Sequence, residues 1–187
     1  MTRFALSHSS IQMSVRICRQ EDVLTDIREG NADVGCFLSN DDHRGLESLR
    51  IGRQRLHIIA PPDHKFAGRH KIPPEEIAAE AFVGPPAESH FGKSISALLA
   101  GVGISGIRTV AIATEYQFLR ELVAARVGLA CSPDSSAQSD LDSGRLVALD
   151  VDIPPIGMDI QLLTSARRPH TPAMKLLADF LISQTIL

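Results

Sequence analysis

The sequence predicts an α/β fold on a mainly parallel sheet. Strand and helix patterns alternate through most of the chain, the order that produces parallel sheets. Several helical stretches also carry recognisable start and stop signals. Hydrophobic residues make up 44% and charged residues 22%, the balance of a soluble globular domain. With 187 residues, the chain can bury a core without disulfide or metal staples.

The elements follow in order. In residues 11–17, Ile11, Met13, Val15 and Ile17 alternate with Gln12, Ser14 and Arg16, the period of a half-buried strand. Glu21 and Asp22 open a helix carrying Val23, Leu24 and Ile27, with acidic residues where the helix dipole favours them. Gly30 stops it. Residues 32–38 form a buried strand, a polar loop follows, and 46–51 and 55–60 are two further strands. Pro73 and Pro74 open a short helix containing Ile77. Residues 81–83 are a brief strand closed by Gly84, Pro85 and Pro86.

Ser89 starts a helix with Phe91, Ile95, Leu98 and Leu99 on one face. A strand over 107–113 comes next. Thr114 and Gln117 then have the spacing of a capping box, at the head of a helix placing Phe118, Leu119, Leu122 and Val123 towards a core. Strands at 129–132, 145–149 and 158–164 complete the sheet. Pro172 opens a last helix with Leu177, Phe180 and Leu181 on one face.

Composition excludes several functions. No run of 18 apolar residues is present, so no helix spans a membrane. Ser7, His8, Ser9 and Ser10 interrupt the N-terminal stretch before a secretory signal could form. Cys18, Cys36 and Cys131 are odd in number and lie in apolar stretches, as expected of thiols in a reducing cytoplasm. The net charge of -3, with no Trp and one Tyr, argues against direct nucleic-acid binding.

Chemical motifs are sparse. Residues 101–106 match G-x-G-x-x-G, but a helix precedes and a strand follows, the reverse of a dinucleotide site. A helix end and tight turn explain the glycines, and no cofactor is expected. His57, His64 and His70 lack the spacing of a preformed metal site, so no metal is expected. Ser132, Ser135 and Ser136 sit in no nucleophile elbow, so no catalytic residue and no enzyme activity are expected. Ser89 and Thr114 begin helices directly after strands, where open α/β sheets bind small ligands through helix N-termini.

Five segments in this order resemble the effector-binding domain of LysR-type transcriptional regulators. They are Arg28-Glu-Gly-Asn-Ala-Asp-Val-Gly35, residues 56–67 with Pro61 and His64, residues 122–133, residues 141–149 with Ser143-Gly144-Arg145-Leu146-Val147, and residues 167–180. Arg126 departs from the family's usual glycine, and Lys65-Phe66 from its usual Pro-Leu. The chain also starts beyond the point where the family carries a winged helix-turn-helix, a linker helix and a first strand.

The resemblance implies two Rossmann-like subdomains joined by crossover strands, like a type 2 periplasmic binding protein. The first is expected over 1–71 with 156–187, the second over 72–155. It implies a cytoplasmic regulatory domain that binds a small effector, often an organic acid or other anion, in the cleft between them. The positions falling on that site are Gln20, Glu21, Pro86, Ser89, His90, Thr114 and Tyr116. It further implies a homo-oligomer, dimer or tetramer, that contacts DNA only through a helix-turn-helix absent from these residues. A solute-binding protein of the same fold is the alternative, and an α/β enzyme a more distant one. Lacking the family's first strand, the 11–17 strand is expected either to close against 32–38 or to leave a sticky edge that favours self-association.

Overall fold

The computed structural model describes residues 2–185. The chain forms two compact units, residues 1–53 with 159–187 and residues 54–158. It passes from one to the other within two long strands. The sequence reading assigned residues 54–71 and 156–158 to the first subdomain; here they group with the second unit.

In the first unit, α1 (Thr2–Ser7) was not anticipated. Phe4 is buried beneath it, and its ring lies 4.4 Å from that of His8 and 5.3 Å from that of Phe180. Helix α2 (Gln20–Glu29) buries Leu24 and Ile27 and ends at Gly30 with φ 81°. There the Gly30 N–H donates to the Asp26 carbonyl at 2.8 Å, the left-handed stop that glycine suits. Strand β1 (Val34–Leu38) follows. It pairs antiparallel with β7 (Gly157–Ser165), Phe37 opposite Gln161. The α2 helix packs on β1 so closely that a Cβ at Gly35 would lie 2.4 Å from Val23 Cγ1. Helix α7 (Pro172–Thr185) closes the chain.

The expected strand over residues 11–17 does not form. These residues are irregular, and Val15 and Ile17 are 62% and 89% exposed. Alternating apolar residues make a strand only where a neighbouring backbone accepts the ladder. The β1 ladder in the structure runs to β7 instead.

Strand β2 (Leu46–Ala60) is continuous, which corrects the reading of two strands. Its first residues belong to the first unit and its last to the second. In the second unit it pairs antiparallel with β5 (Ala130–Pro133), Ile58 opposite Cys131. It also pairs antiparallel with the two-residue β6 (Val147–Ala148).

Strand β3 (Ala81–Gly84) pairs parallel with β4 (Arg108–Ile112). It also meets the start of β5 through Val83 N–H to Leu129 O at 2.8 Å. The ladders are therefore mixed, with β1–β7, β2–β5 and β2–β6 antiparallel and β3–β4 parallel, where a mainly parallel sheet was expected. Crossover strands returning antiparallel account for the difference.

Helices α3 (Pro74–Ala78), α4 (His90–Gly101) and α5 (Tyr116–Ala124) stand where the sequence placed them. Ile95 and Leu99 of α4 and Leu119 and Val123 of α5 are buried, whereas Phe118 is 57% exposed and corrects its core assignment. Helix α6 (Asp134–Asp142) was missed, because its sequence DSSAQSDLD carries almost no apolar stripe. It buries Ala137 and Asp140. The core of this unit gathers Ile59, Val83, Ala113, Leu119, Val123, Ala130, Ala137 and Leu146.

Cys131 lies in this interior, and burial pushes its thiol up to about 12. A thiol held protonated by folding stabilises the protein fully below the unfolded thiol's value near 8.5. That contribution falls away as the pH rises from there towards 12. At pH 8 a thiol reagent should therefore modify exposed Cys18 readily. It should modify Cys36, also exposed, more slowly, since desolvation around its sulfur raises that thiol, and Cys131 only on unfolding. Simultaneous modification of all three in the folded chain would contradict this placement.

Candidate functional site

In the second unit, β3 and β4 run parallel and end together. Ala113 N–H donates to Gly84 O at 2.9 Å just beyond their last residues. Each strand then feeds a loop and a helix, so the starts of α4 and α5 lie beyond the carboxyl ends of two adjacent strands.

The loop before α4 is folded by its own polar groups. Ser89 is the N-cap, and its Oγ accepts the Gly92 N–H at 3.0 Å. The same hydroxyl donates to the Pro86 carbonyl at 2.7 Å, which also accepts the Ser89 N–H at 3.1 Å. The close approach requires glycine at 92, where a Cβ would lie 2.1 Å from Pro86 O. His90, the first helical residue, is exposed, and its carbonyl accepts Ser94 Oγ at 3.0 Å.

The start of α5 differs from the expected capping box. The N-cap is Glu115, without a side-chain cap, and Thr114 is the exposed residue before it. A turn at 114–115 moves the helix start one residue on, so Thr114 no longer has the spacing to bond Gln117. Tyr116 begins the helix and turns inward. Its ring meets that of Phe91 edge-on, with centroids 5.6 Å apart. Burial pushes its phenol far above the ordinary tyrosine range, with Cys131 nearby adding to the shift.

Gln20 and Glu21 lie in the first unit, at the start of α2. Four buried side-chain atoms lack a hydrogen-bond partner among the described residues: Gln20 Nε2, Tyr116 Oη, Arg120 Nε and Asp140 Oδ2. The last two lie 2.7 Å apart as an ion pair. The remaining two both belong to predicted site positions. A buried polar atom without a partner is costly and calls for an explanation.

Pro86, Ser89, His90 and Tyr116 thus come together at one end of the second unit, with Thr114 at its margin. Phe91 and Gly92 complete this place and were missed as site residues. Phe91 read as a core position, while a glycine near the start of a helix was the one available signal.

A cavity of about 440 Å³ elsewhere in this unit holds Asp63, Lys65, Glu80 and Arg126. Its charges are paired as Arg126 with Asp63 and Lys65 with Glu80. The Arg126 guanidinium holds the Asp63 carboxyl below its usual range. Arg126 adopts φ 62°, keeping the backbone form its usual glycine would take. Among the described residues no three His, Cys, Asp or Glu side chains are grouped to hold a metal ion. No helix there is long and apolar enough to cross a membrane.

Comparison with known proteins bears on the family and the fold. The LysR substrate binding domain model matches residues 1–185. An HTH-type transcriptional regulator of Mycobacterium tuberculosis is 28% identical over 86% of this chain and 52% of its own length. The regulator CbbR of Cereibacter sphaeroides is 23% identical over 90% of this chain and 54% of its own. The chain therefore spans about half the length of these curated relatives.

Among solved structures, the Synechocystis CcmR regulatory domain in complex with 2-PG superposes with a TM-score of 0.87. It is 18% identical and covers 98% of this chain and 88% of its own. The effector binding domain of QuiR in complex with shikimate gives 0.83, with 19% identity and coverages of 99% and 88%. The fold is the type 2 periplasmic-binding-protein-like fold, and the chain belongs to the LysR substrate binding domain family, the effector-binding domain of LysR-type transcriptional regulators.

Proposed function

We propose that this domain senses a small organic acid or comparable anion, and that the start of α4 together with Tyr116 forms part of the site. The observation that carries this reading is the unpartnered buried Tyr116 Oη, which can donate a hydrogen bond and falls on a position that the resemblance marks for effector contact. The N-terminal end of α4 adds a positive dipole end, and Ser89 shapes its loop. Pro86, His90 and Thr114 complete the proposed contacts. The neighbours holding 2-PG and shikimate are consistent with a small ligand.

The domain acts by binding, in the cytoplasm, and changes transcription through a DNA-contacting segment outside these residues. At about 100 times its dissociation constant an effector should stabilise the fold by roughly 2.7 kcal/mol, visible as a melting shift across an anion panel. Tyr116→Phe and Ser89→Ala should each reduce the shift. No shift with any anion, or a shift untouched by both variants, would overturn the location.

The assembly is proposed to be a homo-oligomer that uses the first unit. Leu6, Val15 and Ile17 are 79%, 62% and 89% exposed, and the segment bearing the last two has no strand partner among the described residues. Apolar side chains on unpaired backbone favour association. Sedimentation of Val15→Asp/Ile17→Asp should show a shift towards monomer at concentrations where the parent chain assembles. An unchanged assembly would place the interface elsewhere.

A further inference from the structure

Helix α7 is long, 14 residues, yet it does not seal against the sheet of the first unit. Between them lies a cavity of about 370 Å³, within the size range of small-molecule sites. Its apolar wall comes from both sides. Val34 of β1, Leu49 of β2 and Leu162 of β7 face Met174, Ala178 and Ile182, spaced four apart on α7.

Its polar groups fall into two sets. The first is already satisfied: His170 Nε2 lies 3.1 Å from Glu47 Oε2 and 3.0 Å from Thr164 Oγ1. The second is Lys175 and Asp179, which also line the cavity one helical turn apart at exposed positions, where water or a ligand can reach both charges.

We propose that this cavity is a second binding site, for an α-amino acid with an apolar side chain. Such a ligand presents its carboxylate to Lys175 and its ammonium to Asp179, and lays its side chain among Leu49, Leu162, Met174, Ala178 and Ile182. The choice follows from charge. A simple carboxylate would satisfy Lys175 but meet the like charges of Asp179 and Glu47. A simple amine would satisfy Asp179 but meet Lys175. Only the zwitterion matches both groups while burying the apolar wall. The site lies wholly in the first unit and does not depend on the effector reading.

The test is a calorimetric titration of the full chain with L-leucine, 4-methylpentanoate and isopentylamine, which share one apolar body. L-leucine should bind, and each single-charge analogue should bind about fivefold more weakly. Lys175→Gln should remove the preference over isopentylamine and Asp179→Asn that over 4-methylpentanoate, neither changing the melting temperature, since both positions are exposed. Ala178→Trp, which fills the cavity, should abolish binding, whereas Ser89→Ala should leave it unchanged. The proposal is overturned if L-leucine does not bind, if either analogue binds equally well, or if binding survives in Ala178→Trp.

Discussion

Asp140→Ala is expected to destabilise the second unit by about 3 kcal/mol, the cost of leaving a buried charge without its partner. The Asp140 side chain is 10% exposed and bridges two arginines, Arg120 Nε at 2.7 Å and Arg145 Nη1 at 2.8 Å. Arg145 is 39% exposed and can turn to Glu121, with which it also pairs. Arg120 cannot escape so easily. It is 22% exposed and donates to the Ser136 carbonyl within α6, so loss of the carboxylate strands its charge against the helix. Arg120→Leu combined with Asp140→Leu should recover much of the loss, because an apolar pair has no desolvation cost. Denaturant unfolding checks both variants. A change below about 0.5 kcal/mol for Asp140→Ala would place it among ordinary surface substitutions and contradict a buried triad.

Ile59→Ala should cost a similar amount or more. Ile59 is fully buried and sits where β2 is flanked on both edges, opposite Ala130 of β5 and Ala148 of β6. Its neighbours include Val83, Leu119, Val123 and Leu146, which belong to several elements that cannot collapse together into the vacated space. Large-to-small changes at such sites cost about 2–5 kcal/mol, and a domain of this length should melt about 10 °C lower. A loss under about 1 kcal/mol would mean that the core is loosely packed there.

Much of the fold was legible because its signals are local. Gly30 and Ser89 act as caps in the structure as their positions suggested, since a left-handed stop and a hydroxyl cap depend only on neighbouring backbone. The misses share a different cause. Residues 11–17 have the alternation of a strand, but alternation states a preference and cannot supply a partner. The gap left at residues 52–54 is part of β2, because a strand that leaves one unit for the other changes its neighbours there. Helix α6 shows little apolar periodicity because one of the residues it buries is Asp140, satisfied by arginines distant in sequence. At the candidate site, Ser89 was readable from its cap. Phe91, which meets Tyr116, was not, because an aromatic at helical spacing looks the same whether it faces a core or a ligand.

The central claim is that Tyr116 and the first turn of α4 receive the effector. Amide NMR during titration with an anion that raises the melting temperature tests it most directly. The account predicts shifts concentrated at residues 86–92 and 113–117. Shifts confined to residues 47–49 and 174–182, with residues 86–92 and 113–117 unmoved, would contradict it.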